Sequence, residues 1–322
     1  MNGAAVASRP DAWGLGAYDK SERHSRQPLQ QVPLTPPYRV AVINRTVLLT
    51  GASGLLGTWL RRTAPAGTTV IPLTHRTPLV DVVGVVADLR DHPSASAVVA
   101  TACPAVVIHA AYAHDEASIV DATQNVVDAA LAVGAGMVHV STDAVFSGDG
   151  LPRGEKARPD AVWDYGRFKA RAEQAVTRGS AASAIVRLPL VVSLDPEDHV
   201  VALIRRGAAN RQPTPWSDDE FRQPASAEEL AGAVWKIASL DAAQRAGTWH
   251  LPGPESLSRY EIAQRVVSAL RLRSDAITAG DTRRSAERPR DIHLRDDRAR
   301  KTIGWAPSPI LSRELNSLPS AC

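Results

Sequence analysis

A tyrosine and a lysine four residues apart, Tyr165 and Lys169, have the residue types and the spacing of an acid–base pair. Positions i and i+4 of a helix lie on one face, so both side chains can reach one small volume. A phenol has an ordinary pKa of about 10, and a neighbouring ammonium lowers that pKa toward neutrality. The same spacing also fits a packed tyrosine beside a solvated lysine. Together with the segments described below, it predicts proton transfer by Tyr165.

Two polar residues follow the apolar run 137–140 and supply further candidates. The carboxyl ends of parallel strands are where open α/β sheets present their catalytic side chains. We therefore expect the hydroxyl of Thr142 to hydrogen-bond a substrate oxygen. The next residue, Asp143, is either a substrate contact or a turn former.

Three glycines spaced three apart stand between an apolar run and a helical stretch, in TGASGLLG at 50–57. Gly51 allows a tight turn, Gly54 lets the backbone approach phosphates, and Gly57 lets the helix pack against the strand. The unpaired N–H groups at the start of the helix then face the anion. The segment predicts a dinucleotide-binding turn. Its expected contacts are Gly51, Ser53, Gly54, Leu55 and Leu56.

The second predicted strand ends in Thr74-His75-Arg76, where an NAD-preferring site usually places an acidic residue that binds the ribose hydroxyls. A cation there favours a 2′-phosphate, so we expect NADPH. NADH is the alternative if Arg76 is only a solvated surface residue. Asp88 either accepts a hydrogen bond from an adenine amino group or caps a helix. The other expected cofactor contacts are His75, Leu89, Ala110, Ala111, Tyr112, Leu188, Tyr165 and Lys169.

The elements that must position these residues alternate between β-branched runs and helical stretches, which predicts a parallel, doubly wound sheet. Strands are expected near 45–50, 69–73, 83–86, 105–109, 136–141 and 184–188, with one further strand near 248–251. Helices are expected near 55–63, 94–102, 115–133 and 163–178.

These elements predict an α/β fold, a Rossmann-type doubly wound parallel sheet with a smaller C-terminal substrate-binding lobe. We expect a flexible N-terminal extension at 1–44 and an NAD(P)-binding Rossmann domain at 45–189. Part of 226–250 is expected to complete the sheet. The segments 190–225 and 251–322 are expected to form the substrate-binding lobe.

The composition bounds the class of protein. Of the 322 residues, 37 are Lys or Arg and 34 are Asp or Glu, so no concentrated basic block points to a nucleic-acid partner. The two cysteines, Cys103 and Cys322, lie too far apart to suggest a disulfide framework or a metal site. No apolar run approaches the roughly 20 residues that cross a membrane, and no signal peptide is recognisable. We therefore expect a cytoplasmic protein without a metal or a membrane partner.

Four segments together resemble the extended short-chain dehydrogenase/reductase family, and within it the dTDP-4-dehydrorhamnose reductase group. They are TGASGLLG, HAAY at 109–112, STDAVF at 141–146 and YGRFK at 165–169. The resemblance covers roughly residues 45–305 and includes RQPASAEELA, GTWHLPGPESLSRYEIA and RPRDIHL. It implies a catalytic trio of Thr142, Tyr165 and Lys169, an NAD(P)H cofactor and a nucleotide-sugar substrate.

In related enzymes, arginines of the C-terminal lobe grip the nucleotide diphosphate, which makes Arg222 and Arg288 the substrate-binding candidates. Surface ion pairs with Asp219 or Asp291 are the alternative. Two positions depart from the family's pattern. Ile119 stands where an Asn commonly organises a proton-relay water. Ala144 stands where the reductases have Tyr and the 4,6-dehydratases have Glu, which disfavours dehydration.

The sequence therefore predicts an NAD(P)H-dependent oxidoreductase. It reduces a keto group on a nucleotide-linked deoxysugar, with Tyr165 as the proton donor. The alternatives are a nucleotide-sugar epimerase and a non-catalytic NADP-binding regulatory subunit. A homodimer is left open.

Overall fold

A parallel sheet of seven strands is the centre of the computed structural model, which describes residues 45–79, 81–179, 182–280 and 288–316. In spatial order its strands are β12 (Gly247–His250), β7 (Ala184–Leu188), β5 (Gly136–Thr142), β4 (Val106–His109), β1 (Arg45–Thr50), β2 (Thr68–Thr74) and β3 (Val85–Val86). Chain order reverses between β1 and β4, which is where doubly wound sheets bind ligands. This arrangement confirms the predicted Rossmann-type sheet.

Helices cover both faces of the sheet because its strands are apolar on both sides. On one face lie α1 (Leu55–Arg62) and α6 (Ala227–Ser239), and on the other lie α2 (His92–Ala102), α3 (Ala122–Ala132) and α4 (Asp164–Gly179). Neighbouring residues of β1 serve opposite faces. Leu49 packs in the core with α1 and α6, whereas Leu48 packs in the core with α2 and α3.

The predicted bounds agree with these elements except in two places. The strand expected at 83–86 is only Val85–Val86, at the edge of the sheet, where Val83 is exposed. The helix expected at 115–133 is a π-helical segment, Ala117–Asp121, followed by α3. The predicted extension 1–44 lies outside the described residues, as do 281–287 and 317–322 of the predicted lobe.

The C-terminal part contains more strands than the single one predicted. A second sheet has the order β13 (Leu257–Ser258), β10 (Phe221–Arg222), β15 (Asp291–Leu294) and β6 (Asp149–Arg153). Two parallel pairs are β8 (Val191–Val192) with β11 (Ala225–Ser226), and β9 (Thr214–Trp216) with β14 (Ile277–Ala279). Most of these strands have two to four residues, too few to show a periodicity in the sequence.

Two helices of this part, α5 (His199–Ala209) and α8 (Arg259–Ala269), pack together through a small apolar core. Helix α8 begins at a capping box in which Ser258 and Glu261 satisfy each other's backbone N–H groups. The remaining helices are α7 (Ala242–Arg245), α9 (Asp297–Ile303) and α10 (Ser312–Asn316). Across the described ranges, no helix has the length and apolar character needed to span a membrane.

Candidate active site

The turn between β1 and α1 requires glycine at two positions. Gly51 has φ +68°, and a Cβ there would lie 2.7 Å from the backbone of Ala110. A Cβ on Gly57 would lie 2.2 Å from the carbonyl oxygen of Gly51. Gly54 precedes α1 and has no side chain to cap the helix, so the first N–H groups of α1 stay available to an anionic ligand. The turn therefore fits a dinucleotide phosphate.

A cavity of about 330 Å³ opens beside this turn, at the ends of β1, β2 and β4. The predicted cofactor residues that line it are Gly51, Ser53, Gly54, His75, Arg76, Asp88, Leu89, Ala110, Ala111 and Tyr112. The predicted contacts Leu55, Leu56, Leu188, Tyr165 and Lys169 are not in its wall. The glycine turn, the end of β2 and the loop after β4 thus share one cavity.

Charged groups are concentrated at the β2 end of this cavity. Arg90 donates two hydrogen bonds of 2.9 and 2.6 Å to Asp88 and holds the pKa of that carboxyl well below its usual range. His75 lies 3.5 Å from the same carboxylate. Arg76 is exposed and forms no hydrogen bond or ion pair with any residue the structure describes, which leaves its guanidinium free for a ligand. Arg90 lines the cavity too, and our sequence analysis missed it.

At the end of β5, the hydroxyl of Thr142 lies near enough to the phenol of Tyr165 to act on its pKa. Thr142 donates to Asp143 Oδ1 at 3.2 Å and accepts from the N–H of Ala144 at 3.1 Å. These bonds fix the hydroxyl of Thr142 beside the phenol. Two residues of the predicted trio therefore lie close together, although one belongs to a strand and the other to α4.

Lys169 lies one turn beyond Tyr165 on α4 and is buried. Its Nζ donates to the carbonyl of Val140 at 3.0 Å and lies 5.2 Å from the ring centre of Tyr112. Burial lowers the pKa of Lys169 to about 8, and Glu173 opposes that change. The ammonium is thus held directly beneath the site.

The pKa of Tyr165 differs from our expectation. Burial raises it, and Tyr112 and Asp143 add to the effect, whereas the nearby hydroxyl of Thr142 opposes them. The expected lowering of this pKa by Lys169 is therefore wrong. The phenol keeps its proton at neutral pH.

An aromatic group surrounds the phenol ring. The ring centres of Trp163, His114 and Tyr112 lie 5.3, 5.9 and 6.1 Å from that of Tyr165. Arg288 lies over Trp163, with its guanidinium carbon 5.7 Å from the ring centre. One of the two predicted phosphate-binding arginines is thus only one ring away from the phenol.

The second predicted arginine, Arg222, is buried and already engaged. Its terminal nitrogens donate to Glu220 and to the carbonyls of Phe221, Pro289 and Arg290. This leaves its Nε–H as the remaining donor, so Arg222 holds the segment that follows Arg288.

Asp219 and Asp291, the alternative ion-pair partners for Arg222 and Arg288, form ion pairs with other residues. Asp219 pairs with Arg290 at 2.8 Å, and Asp291 pairs with His293 at 2.7 Å.

A third arginine, Arg259, was missed by our sequence analysis. It is the first residue of α8 and lies over the ring of Trp216 at 5.6 Å. Burial lowers its pKa; Glu220 opposes this, and the charges of Arg222 and Arg288 add to it. Three arginines, with the carboxylates of Glu220 and Asp198 also nearby, make this group a candidate for anion binding. The capping box at SRYE marked the helix start, but only the folded lobe brings Arg259 close to the other two.

Behind the site, a chain of hydrogen bonds fixes the loop after β4. Thr50 Oγ1 accepts from the N–H of Ala111 at 3.2 Å and bonds His109 Nδ1 at 2.8 Å. His109 Nε2 bonds Thr123 Oγ1 at 3.1 Å, which donates to the carbonyl of Ile119 at 2.6 Å. The chain is complete only with a neutral His109 that carries its proton on Nε2. Burial accordingly lowers the pKa of His109 to about 3.

A second buried group continues this polar row toward β12. Glu173 accepts from Ser141 at 2.6 Å and from Arg187 at 2.9 and 2.7 Å. Arg187 donates to Nε2 of His250 at 3.2 Å, and burial lowers the pKa of that histidine to about 3.

His139 stacks on His109 with ring centres 5.5 Å apart, and neither nitrogen of His139 has a partner among the described residues. Within the same ranges, no three His, Cys, Asp or Glu residues are grouped as a metal site.

Comparisons with known proteins agree with this geometry. The RmlD substrate binding domain family matches residues 45–313. Methionine adenosyltransferase 2 subunit beta of Bos taurus is 26% identical over 295 residues, which cover 79% of this chain and 81% of that protein. The dTDP-4-dehydrorhamnose reductase of Mycolicibacterium smegmatis is 29% identical over 245 residues, covering 72% of this chain and 71% of that one.

A solved structure shows the same fold. It is the dTDP-4-dehydrorhamnose reductase of Bacillus anthracis in complex with NADP, which superposes with a TM-score of 0.73 at 23% identity. The match covers 84% of this chain and 97% of that chain.

Proposed function

Because this chain belongs to the RmlD substrate binding domain family, as its resemblance predicted, we propose that it is an NADPH-dependent reductase of a keto group on a nucleotide-linked deoxysugar. The observation that supports the proposal best is that the Thr142 hydroxyl, held at the carboxyl end of β5 by Asp143 and the N–H of Ala144, lies near the protonated phenol of Tyr165. Tyr112 lines the glycine-turn cavity and also contacts the ring of Tyr165, so the two regions adjoin.

The residues of the cavity suit a dinucleotide. The turn at Gly51 and the uncapped start of α1 would hold the pyrophosphate, and Arg76 would pair with a 2′-phosphate. When bound, the nicotinamide supplies a hydride to the keto carbon. The NADP bound to the Bacillus anthracis structure supports this choice of cofactor, and NADH is the alternative.

The chain's own residues handle the proton. As the carbonyl oxygen gains negative charge, Tyr165 donates its phenolic proton to it, and Thr142 offers a hydrogen bond to the same oxygen. Lys169, one turn away on α4, would hold the nicotinamide ribose with its ammonium and so position the cofactor near the Tyr165 hydroxyl. No other acid is needed for a reduction.

The nucleotide diphosphate would bind the arginine group of the C-terminal lobe. Within the described ranges Arg259 and Arg288 form no salt bridge within 4 Å, although Glu220 and Asp198 act on Arg259 from a longer distance, whereas Arg222 holds the backbone after Arg288 in place. Guanidinium forks match phosphate geometry. We therefore assign the grip to Arg259 and Arg288, with Arg222 as a positioning residue.

The raised pKa of Tyr165 favours reduction over epimerisation. An epimerase that works by transient oxidation begins by removing a proton from a sugar hydroxyl, which requires the phenolate. Here the phenol is protonated at neutral pH. It is ready to give a proton, which is the first demand of a reductase.

A second candidate function is a regulatory subunit that binds NADP without turnover. The similarity to methionine adenosyltransferase 2 subunit beta, over 79% of this chain, favours it. The two candidates differ in one measurement, the oxidation of NADPH in the presence of a keto sugar.

The test follows NADPH absorbance with dTDP-4-dehydrorhamnose for the wild type, Tyr165→Phe and Tyr260→Phe. Tyr260 packs in the core between α5 and α8 and serves as the matched control. We expect turnover in the wild type and in Y260F, and a loss of at least about 100-fold in Y165F with unchanged NADPH affinity. Turnover that survives in Y165F would refute the assignment of the proton donor. NADPH binding with no oxidation in the wild type would favour the regulatory subunit.

A further inference from the structure

A second cavity, of about 890 Å³, lies in the C-terminal lobe between the ends of α5 and α8. It shares no lining residue with the glycine-turn cavity. Four arginines line it: Arg205, Arg211, Arg271 and Arg273. Its volume is in the range of small-molecule sites.

The cavity is built from two similar units placed side by side. In each unit a helix ends, the chain reverses, and a short strand follows: α5 leads to β9, and α8 leads to β14. The two strands pair in parallel, with Thr214 opposite Ile277. The helix ends and the following loops are thereby brought to the same place.

Each unit has an arginine at the same unusual backbone position. Arg211 and Arg271 follow the last helical turns with φ +52° and +54°. Their N–H groups bond back to Ala208 and Ser268, closing the turn that normally ends with glycine. A side chain strains the backbone at such a position. Both units keep this backbone strain, and both have an arginine at the strained position. This repetition suggests that the positive charge of the two arginines has a function.

Two of the four arginines that line the cavity form ion pairs with acidic residues, and the other two do not pair with any described residue. Arg205 forms an ion pair with Glu197, and Arg273 pairs with Asp275 at 2.7 Å. Arg211 and Arg271 have no side-chain hydrogen bond or ion pair with any residue in the described ranges. The cavity therefore carries two guanidinium groups available to an anion.

We propose that this cavity binds a phosphate-bearing small molecule, with Arg211 and Arg271 as its principal contacts. Guanidinium groups bind phosphate oxygens through paired hydrogen bonds, and two of them on adjacent loops can share one pyrophosphate group or two phosphate groups. The proposal is separate from the reductase function, because these residues belong to neither the glycine turn nor the group around Tyr165.

The test measures the melting temperature with inorganic pyrophosphate, against chloride at equal ionic strength. The variant is Arg211→Gly with Arg271→Gly, since glycine removes the charges and relaxes the backbone. The control is Cys103→Gly, which relaxes a residue with φ +41° at the end of α2, away from the cavity. Pyrophosphate bound at the glycine turn or the Arg259 group contributes equally to all three proteins.

We expect pyrophosphate to stabilise the wild type and C103G alike. In the double variant we expect its affinity to fall about tenfold for each arginine removed, which is typical of charge-assisted hydrogen bonds. Both variants should melt at or above the wild-type temperature without pyrophosphate, which would show that they fold. An equal pyrophosphate response in all three proteins would overturn the proposal. So would sedimentation with phosphatidic acid vesicles that depends on the two arginines while pyrophosphate has no effect, because that result assigns them to a lipid surface.

Discussion

Glu173 and Arg187 form a buried, two-pronged ion pair directly beneath the candidate active site, with N–O distances of 2.9 and 2.7 Å. Glu173 lies one helical turn beyond Lys169, so the face of α4 that presents Tyr165 and Lys169 is anchored to β7 by this pair. The helix that carries Tyr165 and Lys169 is therefore fixed to the core of the sheet through Glu173.

Glu173→Gln should destabilise the fold strongly. It leaves the guanidinium of Arg187 buried without a counter-charge, which typically costs about 3–5 kcal/mol. The free energy of unfolding in urea measures the loss. Asp164→Asn, which removes an exposed ion pair with Arg167 on the same helix, is the control and should cost about 1 kcal/mol or less. Equal losses in the two variants would contradict the structural role of the pair.

Acid should destabilise the protein before its carboxylates titrate. The folded-state pKa of His109 and of His250 is lowered to about 3, and that of His139 lies well below 6.5. Unfolding lets each histidine bind a proton as the pH falls below about 6.5, so this stability is complete above that pH and declines toward pH 3. Each histidine contributes a slope of about 1.4 kcal/mol per pH unit.

Urea unfolding at pH 7, 6 and 5 measures this slope, and His139→Leu should flatten it by about one proton. His139 suits the test because its ring nitrogens have no hydrogen bonds to lose among the described residues. A slope that is the same in H139L as in the wild type would show that this histidine is protonated in the folded state.

Arg76→Ala should weaken NADPH binding while NADH binding stays the same. The exposed guanidinium is free to meet the 2′-phosphate that only NADPH carries, and losing one such contact typically costs about tenfold in affinity. Fluorescence titration of both cofactors gives the two dissociation constants. Arg62→Ala, an arginine at the far end of α1, is the control. A parallel loss for both cofactors would remove the case for 2′-phosphate recognition.

Gly57→Ala should disrupt the turn that precedes α1. Its methyl group would lie 2.2 Å from the carbonyl oxygen of Gly51, so the backbone must move, at a typical cost of about 1–3 kcal/mol. NADPH affinity should fall with it. Gly232 lies inside α6, and a Cβ added there would have no atom outside its own helical turn within 4 Å. Gly232→Ala should therefore stabilise the protein by about 0.5–1 kcal/mol. Thermal unfolding measures the change in stability of both variants, and titration with NADPH measures the change in affinity. Unchanged stability and affinity in G57A would contradict this role of Gly57.

The parts of the site that are local in the chain were predictable from the sequence. The turn at Gly51 follows from glycine spacing behind an apolar run, and Thr142 follows from its place at the end of a buried strand. The seven-stranded sheet followed from the alternation of strands and helices. These features depend on residues within about ten positions of one another.

The features that were missed depend on register and on burial. Arg259 reaches the site only through the tertiary fold, which brings the start of α8 near Arg222 and near Asp143 at the end of β5. Ser141 and Arg187 are neighbours because β5 and β7 pair in that register, and the sequence does not reveal the pairing. The rise in the Tyr165 pKa comes chiefly from desolvation, to which Tyr112 and Asp143 add, and neither burial nor these neighbours can be read from the spacing of Tyr165 and Lys169.

The bond between Lys169 and the carbonyl of Val140 has a consequence for affinity. A free lysine side chain loses rotamer freedom worth about 1.5–2 kcal/mol when a ligand immobilises it. In this protein the side chain is already restrained when the chain has folded, so a nicotinamide ribose bound to Lys169 as we propose would meet an ammonium whose conformation is set in advance. Because this ordering cost is not incurred on binding, a larger part of the interaction free energy contributes to the affinity.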